Sequence, residues 1–485
     1  MRQIFYGKEA RQILKDGVDT LANAVKITLG PNGRNVVFDN KYKNPTITND
    51  GVTIAKEVYL KGNENIGAQI LKQSAIKTND EAGDGTTTTI VLAQAIIEHG
   101  NEVLNTQLGI NSVQLQRELT EASEEVIDSL IVKTDIDPYQ VALVSTGNAE
   151  LSKLVTEVFS KVGKDGKVTL DDSQTGEEEI EISDGYEMDS GLVSPYLLDG
   201  DKTEFNNCPV LIVNQKLTEI LPLLESMVQD GQDRLMIIAD EYDNKVIQEL
   251  NTLRLNGQFN TIAIKSPGYV GDRIDTLNDI AELTGAIVVS DKVGNKVDKD
   301  VLGKIDKVIS DLKSTTIIGG DASKRIKELE KRKTDSAFDK DKLEERIAKL
   351  GGKVAIIRVG GKTEIEQQER KYRVEDAVHA VKAALEEGVV EGGGLALYKL
   401  QPKCETNGQK ILAKAIKSPY EQIVKNGFKL DPTSDLFSSG VVDPYKVTKN
   451  AIRNAVSVSG AILTIETLMA EVKDAKSCNH HEETE

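Results

Sequence analysis

The sequence predicts a multidomain fold in which mainly helical segments at both chain ends enclose a central α/β module, with mixed segments between them. Three observations carry this reading. Apolar residues recur at helical spacing from residue 8 to about 131 and again from 395 to 475. Between 186 and 290, short apolar runs alternate with helical stretches, the rhythm of a parallel-sheet α/β layer. The chain has 485 residues, enough for roughly three domains.

Composition narrows the function classes. Hydrophobic residues make up 39% and charged residues 28%, as in an ordinary soluble protein with proper cores. Sixty basic against 78 acidic residues give a net charge of −18 without a basic block, so nucleic acid and anionic membrane are poor partners. Cys208, Cys404 and Cys478 are far apart and form no CxxC, which excludes a disulfide frame or zinc knuckle. The four histidines, His99, His379, His480 and His481, have no HExxH spacing, and His99 and His379 read as helix-surface residues. The first eight residues lack the apolar core of a signal peptide and no run of eighteen apolar residues occurs, so a cytoplasmic protein is expected.

Element by element, Ala10, Ile13, Leu14, Val18, Leu21, Ala22 and Val25 predict a helix over 8–29, closed by Gly30-Pro31. Val36–Phe38 and Thr46–Thr48 read as short strands, followed by the acidic turn Asn49-Asp50-Gly51. A long helix is expected over 65–81, then helix from 88 to 131 with a break at 108–111. Lys167–Leu170 and Glu179–Ile182 alternate like half-exposed strands. Strands are expected at 210–213, 235–239, 261–264 and 286–289, and a charged helical hairpin at 323–350. Residues 354–360 form another strand, whose end Gly360-Gly361-Lys362-Thr363 is no P-loop because the earlier glycine position holds Ile356. In the helix 373–387, Val374, Ala377, Val378, Val381 and Leu385 share one face, and Asp376 points away from it. Helices return from 395, interrupted between Asn426 and Asp443.

The chemistry concentrates in Ala82-Gly83-Asp84-Gly85-Thr86-Thr87-Thr88-Thr89, which runs straight into the apolar Ile90-Val91-Leu92-Ala93. Glycines let backbone approach a ligand, and the free N–H groups of a first helical turn favour anions. A carboxylate among hydroxyls suits a divalent cation arriving with phosphates. An ordinary turn with threonine caps is the competing reading of these eight residues alone. Gly392-Gly393-Gly394 is a second place for close backbone approach.

Five segments together resemble the signatures of the group I (GroEL-type) chaperonins: Leu29–Val37, Thr46–Gly51, Ala82–Thr88, Arg373–Ala377 and Glu386–Gly394. They occur in the family's order, and the resemblance runs from about residue 3 to 475. It implies a multidomain subunit with a mainly α-helical equatorial ATP-binding domain (1–130 plus 389–485). A mixed α+β intermediate hinge domain (131–184 plus 354–388) and an α/β apical polypeptide-binding domain (185–353) complete it. It further implies a ring of identical, seven-fold arranged subunits that hydrolyses ATP with Mg2+ and K+ and captures and releases non-native polypeptide. A GroES-type co-chaperonin is the possible further partner, and an ATPase-weak holdase ring is the alternative.

By the same resemblance, Thr28, Leu29, Gly30 and Pro31 form the loop along the phosphates. Gly83, Asp84 and Gly85 make the metal turn with Asp84 as magnesium ligand. Thr86, Thr87 and Thr88 supply phosphate-binding hydroxyls, and Asp50 and Asp376 are the acids around the attacking water. Gly393 lies against base and ribose, Asp443 on the ribose hydroxyls, and Gly185 and Gly388 at hinges. Leu192, Tyr196, Leu197, Leu221, Leu224, Leu250 and Met227 match the polypeptide-binding positions. The chain departs from the family at Glu249, where an apolar residue is usual, and at Glu421, which replaces an arginine near the ring-to-ring contact. The 426–443 segment is also much shortened, leaving Leu430, Asp431 and Pro432 as candidate contacts to the base. Weak or absent back-to-back pairing of rings is expected.

Overall fold

The computed structural model describes residues 2–39, 45–107, 109–163, 166–173, 175–268, 273–290, 296–331, 343, 346–347, 349–429 and 431–471. His480, His481, Cys478 and Leu430 lie outside them. The chain divides into two compact units, one of Met1–Glu157, Asp172–Glu177 and Val359–Glu485, the other of Val158–Asp171 and Glu178–Arg358.

The first unit is helical and uses both chain ends. Strand β1 (Arg2–Tyr6) leads into α1 (Gly7–Val25), whose Ala10, Leu14, Val18, Leu21, Ala22 and Val25 form the buried stripe that the spacing predicts. A 3-10 turn, Lys26–Thr28, ends it earlier than expected. The ribbon β2 (Val36–Phe38) and β3 (Thr46–Thr48) precedes α2 (Gly51–Glu57), α3 (Asn65–Ala82), α4 (Thr86–Thr106) and α5 (Ser112–Asp128). Asn111 caps α5 through the N–H groups of Val113 and Gln114, which is why the helix breaks there. Asp137 and Pro138 start α6 (Pro138–Thr146), and the unit boundary falls inside α7 (Ala149–Val162).

The second unit is an α/β layer. Its strands are β4 (Lys167–Asp172), β5 (Glu179–Met188), β6 (Thr203–Leu217), β7 (Arg234–Tyr242), β8 (Asn260–Lys265), β9 (Gly303–Ser310), β10 (Thr315–Ile318) and β11 (Lys353–Val359). They form one sheet in the order β4-β11-β5-β10-β9-β6-β7-β8. β6, β7 and β8 run parallel, and the β9–β6, β10–β9, β10–β5 and β11–β5 pairs are antiparallel, so the sheet is mixed. Residues 210–213, 235–239 and 262–264 are fully buried, as parallel strands covered on both faces must be. Helices α8 (Leu221–Gln229), α9 (Asn244–Leu255), α10 (Arg273–Thr284) and α11 (Ser323–Glu330) accompany them.

One expectation needs correction here, and another falls partly outside the described residues. Residues 286–289 make no strand: one bridge joins Val289 to Val213, because β9 already pairs β6 as far as Val210. The expected hairpin at 323–350 begins as α11, but 332–342 lie outside the described residues. Arg346 beyond them reaches back, with Arg325, to the buried Asp279.

The chain then returns to the first unit through α12 (Glu364–Glu387), β12 (Val389–Glu391), α13 (Asn407–Ala415), α14 (Ser418–Lys425), β13 (Val442–Pro444), α15 (Tyr445–Leu463) and β14 (Thr467–Glu471). β13 pairs antiparallel with β12, and β14 with β1. Leu14, Leu71, Ile90, Ile96, Leu119 and Ile452 share the core of this unit. Packed helices of this kind hold the loops between them rigidly, and those loops carry the site.

Candidate functional site

Two glycines make the turn into α4. Gly83 ends α3 with φ +69° and Gly85 precedes α4 with φ +83°, both left-handed, with Asp84 between them. No side chain caps α4, so the N–H groups of its first turn, Thr86 to Thr88, are left for a ligand. A Cβ on Gly83 would meet the His379 ring of α12 at 2.3 Å, so α12 lies directly against this turn. His379, expected as a plain surface residue, is exposed but pressed against that turn.

Around the turn opens a cleft of about 220 Å³. Thr28, Leu29, Gly30, Asp50, Gly83, Asp84, Gly85, Thr86, Thr87, Thr88, Asp376 and Asp443 all line it. Segments some four hundred residues apart in sequence are thereby brought together. Pro31 and Gly393 do not line the cleft; Gly393 sits behind it, donating its N–H to Asp443 together with Gly394.

Each acid is held differently. Asp50 is the N-cap of α2: Oδ1 accepts from Val52 N–H at 3.1 Å and Oδ2 from Thr53 N–H at 2.9 Å. Asp84 Oδ1 accepts from the N–H of Gly85. Burial raises the Asp84 pKa, the Gly85 bond opposes this, and the Asp50 charge adds to the rise. Asp376 is raised well above the ordinary carboxylate value, first by burial and then by Asp84, Asp50 and Glu375. Asp443 is pushed up to about 7 by burial and by Asp84, against the two glycine N–H groups.

The helix α12 explains the aspect of Asp376. Val374, Ala377, Val378 and Val381 are buried as expected and Leu385 is half-buried. The opposite face is not open surface, because Ala380 and Ala383 are buried along it, Ala380 as cleft wall and Ala383 against Ala82 and Val447. Small residues let that face approach, and Asp376 is thereby aimed into the cleft.

No lysine or arginine lines the cleft among the described residues. Asp84, Asp376 and Asp443 are all raised there, by burial first and then by neighbouring carboxylate charge, without a protein cation to offset it. That donor set fits a divalent ion carried in by phosphates, since Mg2+ is held by one or two carboxylates together with phosphate oxygens and water. No group of three or more His, Cys, Asp or Glu forms a complete metal cage among the described residues. The fit is therefore to a metal–phosphate pair and not to a metal alone.

Some contributors carry no sequence signal of their own. Asn49, Asn79, Val141, Val144 and Ser145 also line the cleft. Behind it, Thr78 and Thr89 hydroxyls lie 3.0 Å apart and Asn454 donates to Thr78 at 3.1 Å, all three buried. Asp431 and Pro432 are exposed and do not line the cleft.

The polypeptide-binding residues expected on the α/β unit need correction. Leu192, Leu197, Leu224, Leu250 and Met227 are buried in its hydrophobic core, where they fill the space between sheet, α8 and α9. Tyr196 is 64% exposed and Leu221 half-buried. Val228 and Leu255, at the ends of α8 and α9, are exposed, as are Ile274, Ile287 and Leu312 elsewhere in the unit. Glu249 on α9 pairs with Lys245. Gly185 lies within β5, paired with Ile318, and Gly388 ends α12 with φ +87°.

A helical unit made from both chain ends, an acid- and hydroxyl-lined cleft within it, and an α/β unit inserted between the ends together define the architecture of a chaperonin subunit. The chain belongs to the TCP-1/cpn60 chaperonin family, whose model matches residues 21–243 and 219–429. Among solved structures it is similar to the chaperonin gp146 of bacteriophage EL 2 (Pseudomonas aeruginosa) crystallised in the presence of ATP-BeFx. Crystal form II matches with a TM-score of 0.71 at 21% identity, over 97% of this chain and 99% of that one. Crystal form I matches with a TM-score of 0.64 at 22% identity over the same shares. The fold is GroEL-like and multidomain. No helix among the described residues is long and apolar enough to cross a membrane.

Proposed function

We propose that the chain is the subunit of an ATP-hydrolysing chaperonin ring that binds non-native polypeptide. The observation that carries this is the convergence of Asp50, Asp84 and Asp376 on the uncapped N-terminus of α4, beside three threonine hydroxyls and without a cationic side chain. The gp146 structure was determined in the presence of ATP-BeFx, which supports a nucleotide as the ligand.

In this reading, the α4 N–H groups and the Thr86, Thr87 and Thr88 hydroxyls bind phosphate oxygens. Thr28–Gly30 lies along the phosphates opposite them, and Asp443 takes the ribose hydroxyls. Asp84 holds Mg2+, which neutralises phosphate charge when bound, and K+ is the expected monovalent companion. Asp50, fixed by its own helix, orients water. Asp376, whose proton affinity is raised, accepts the water proton.

The test is hydrolysis in Mg2+ and K+ by the chain and by Asp376→Ala, with ATP binding measured alongside. Turnover falls by about 100-fold or more, the usual contribution of a general base, while binding persists. One observation favours a second reading, an ATPase-weak holdase: both Asp50 oxygens are already engaged by α2. Equal, slow hydrolysis by both proteins would select it.

For polypeptide capture we assign Tyr196, Val228 and Leu255, which are among the exposed apolar residues of the α/β unit, together with the half-buried Leu221. Tyr196→Ser combined with Leu255→Ser removes suppression of client aggregation and leaves ATP turnover intact. For assembly, the ribbon β1–β14 exposes Ile4 opposite Met469, and β2–β3 exposes Val37 opposite Ile47. Two-stranded ribbons are marginal alone, so neighbouring copies covering these faces is the reading we adopt. The shortened 426–443 segment and Glu421 favour a single ring.

A further inference from the structure

Helix α14 touches the cleft loops at both ends, although none of its residues lines the cleft. At its C-terminus the Asn426 amide donates to the backbone carbonyls of Lys26, at 3.0 Å, and Leu29, at 2.8 Å. The amide is itself oriented, because its Oδ1 accepts from Nε2 of the buried Gln422 at 2.9 Å. Ile423 closes the same contact: a Cβ on Gly30 would come within 2.9 Å of its side chain. At the N-terminal end, Tyr420 backs Gly394 so closely that a Cβ there would meet the Tyr420 nitrogen at 2.8 Å. Gly394 in turn donates to Asp443.

We infer that Asn426 is a positioning residue for the nucleotide: it fixes the Lys26–Gly30 loop, and α14 sets the spacing between that loop and the Gly393–Gly394 turn. The inference rests on the ATP reading above. Leu29 and Gly30 form cleft wall with no side-chain hydrogen bond of their own, so their place depends on what holds the backbone. The Lys26 carbonyl has a second partner in the Leu29 N–H, at 3.3 Å, whereas the Leu29 carbonyl depends on Asn426 among the described bonds. The loop meets phosphate in ground and transition states alike, so loosening it weakens binding more than it slows chemistry.

The experiment compares the full-length chain with Asn426→Ala, Asn426→Asp and Gln422→Ala. MgATP affinity, steady-state hydrolysis and nucleotide-free hydrogen exchange are measured for each. Asn426→Ala raises KM and the MgATP Kd by about five- to tenfold, the loss of roughly one net hydrogen bond, with kcat within about twofold. Asn426→Asp, which faces two carbonyls with a carboxylate, is worse, and Gln422→Ala lies between. Exchange quickens at residues 26–34 and stays unchanged within α4. Unchanged exchange at 26–34, or a fall in kcat and thermal stability with no change in KM, overturns the inference whether or not the chain binds ATP. A chain that binds no MgATP while the exchange difference appears overturns the ATP reading and, with it, the nucleotide role, leaving Asn426 as a loop anchor.

Discussion

Asp443 accepts two backbone N–H groups, yet burial and the Asp84 charge still push its carboxyl up to about 7. A raised carboxyl pKa means that the folded state binds the proton more tightly than the unfolded chain. Stability contributed by the protonated form is therefore present at low pH and is lost as pH rises from about 4 through about 7. Asp443→Asn removes the ionisation and keeps an acceptor for Gly393 and Gly394. At pH 8 without nucleotide it stabilises the chain by about 1–3 kcal/mol in denaturant melts, and the gain vanishes by about pH 4. Mg2+ with ATP narrows the same difference in the wild type. Residues of this kind were legible in the sequence wherever one short stretch held the whole chemical type, as in Gly83–Thr88. Asn426 was not, because an asparagine after a helix reads as a cap and its partners lie about four hundred residues away. Leu192, Leu197, Leu224 and Leu250 misled for another reason: an apolar side chain at helical or strand spacing looks the same whether it meets the core or solvent.

Elements meet the cleft through close approaches that single residues permit. A Cβ on Gly51, the first residue of α2, would stand 2.4 Å from the Thr87 hydroxyl and 2.7 Å from that of Thr86. Gly51→Ala must displace α2, Asp50 or the threonines. It lowers MgATP affinity by about tenfold or more and costs about 1–3 kcal/mol in stability, read by titration and by melting. Element type was readable from periodicity along α1, α3, α4 and α12, since long amphipathic helices announce themselves. The run at 286–289 has the composition of a strand and fails as one because β9 occupies the adjoining edge of β6, a fact of topology that no local pattern contains.

The helical ends and the α/β middle were visible in the whole sequence, and the chain divides into two units with separate cores. Assembly belongs to this scale. Ile47→Asp or Met469→Asp places a charge on an apolar ribbon face and, if the proposed ring forms, shifts the chain from ring to smaller species in sedimentation, with each subunit still folded. A stable fourteen-subunit particle in the wild type would refute the single ring.

The pairing of Arg2–Tyr6 with Thr467–Glu471 has a temporal cost. At about 5–20 residues per second on the ribosome, roughly half a minute or more separates the emergence of these partners. The α/β unit, with a core of its own, is encoded between them. The apolar stripe of α1 must wait, shielded by other helices or by cellular helpers, until translation delivers the strand that completes its unit. A protein of a family that tends other chains is thus itself a late folder.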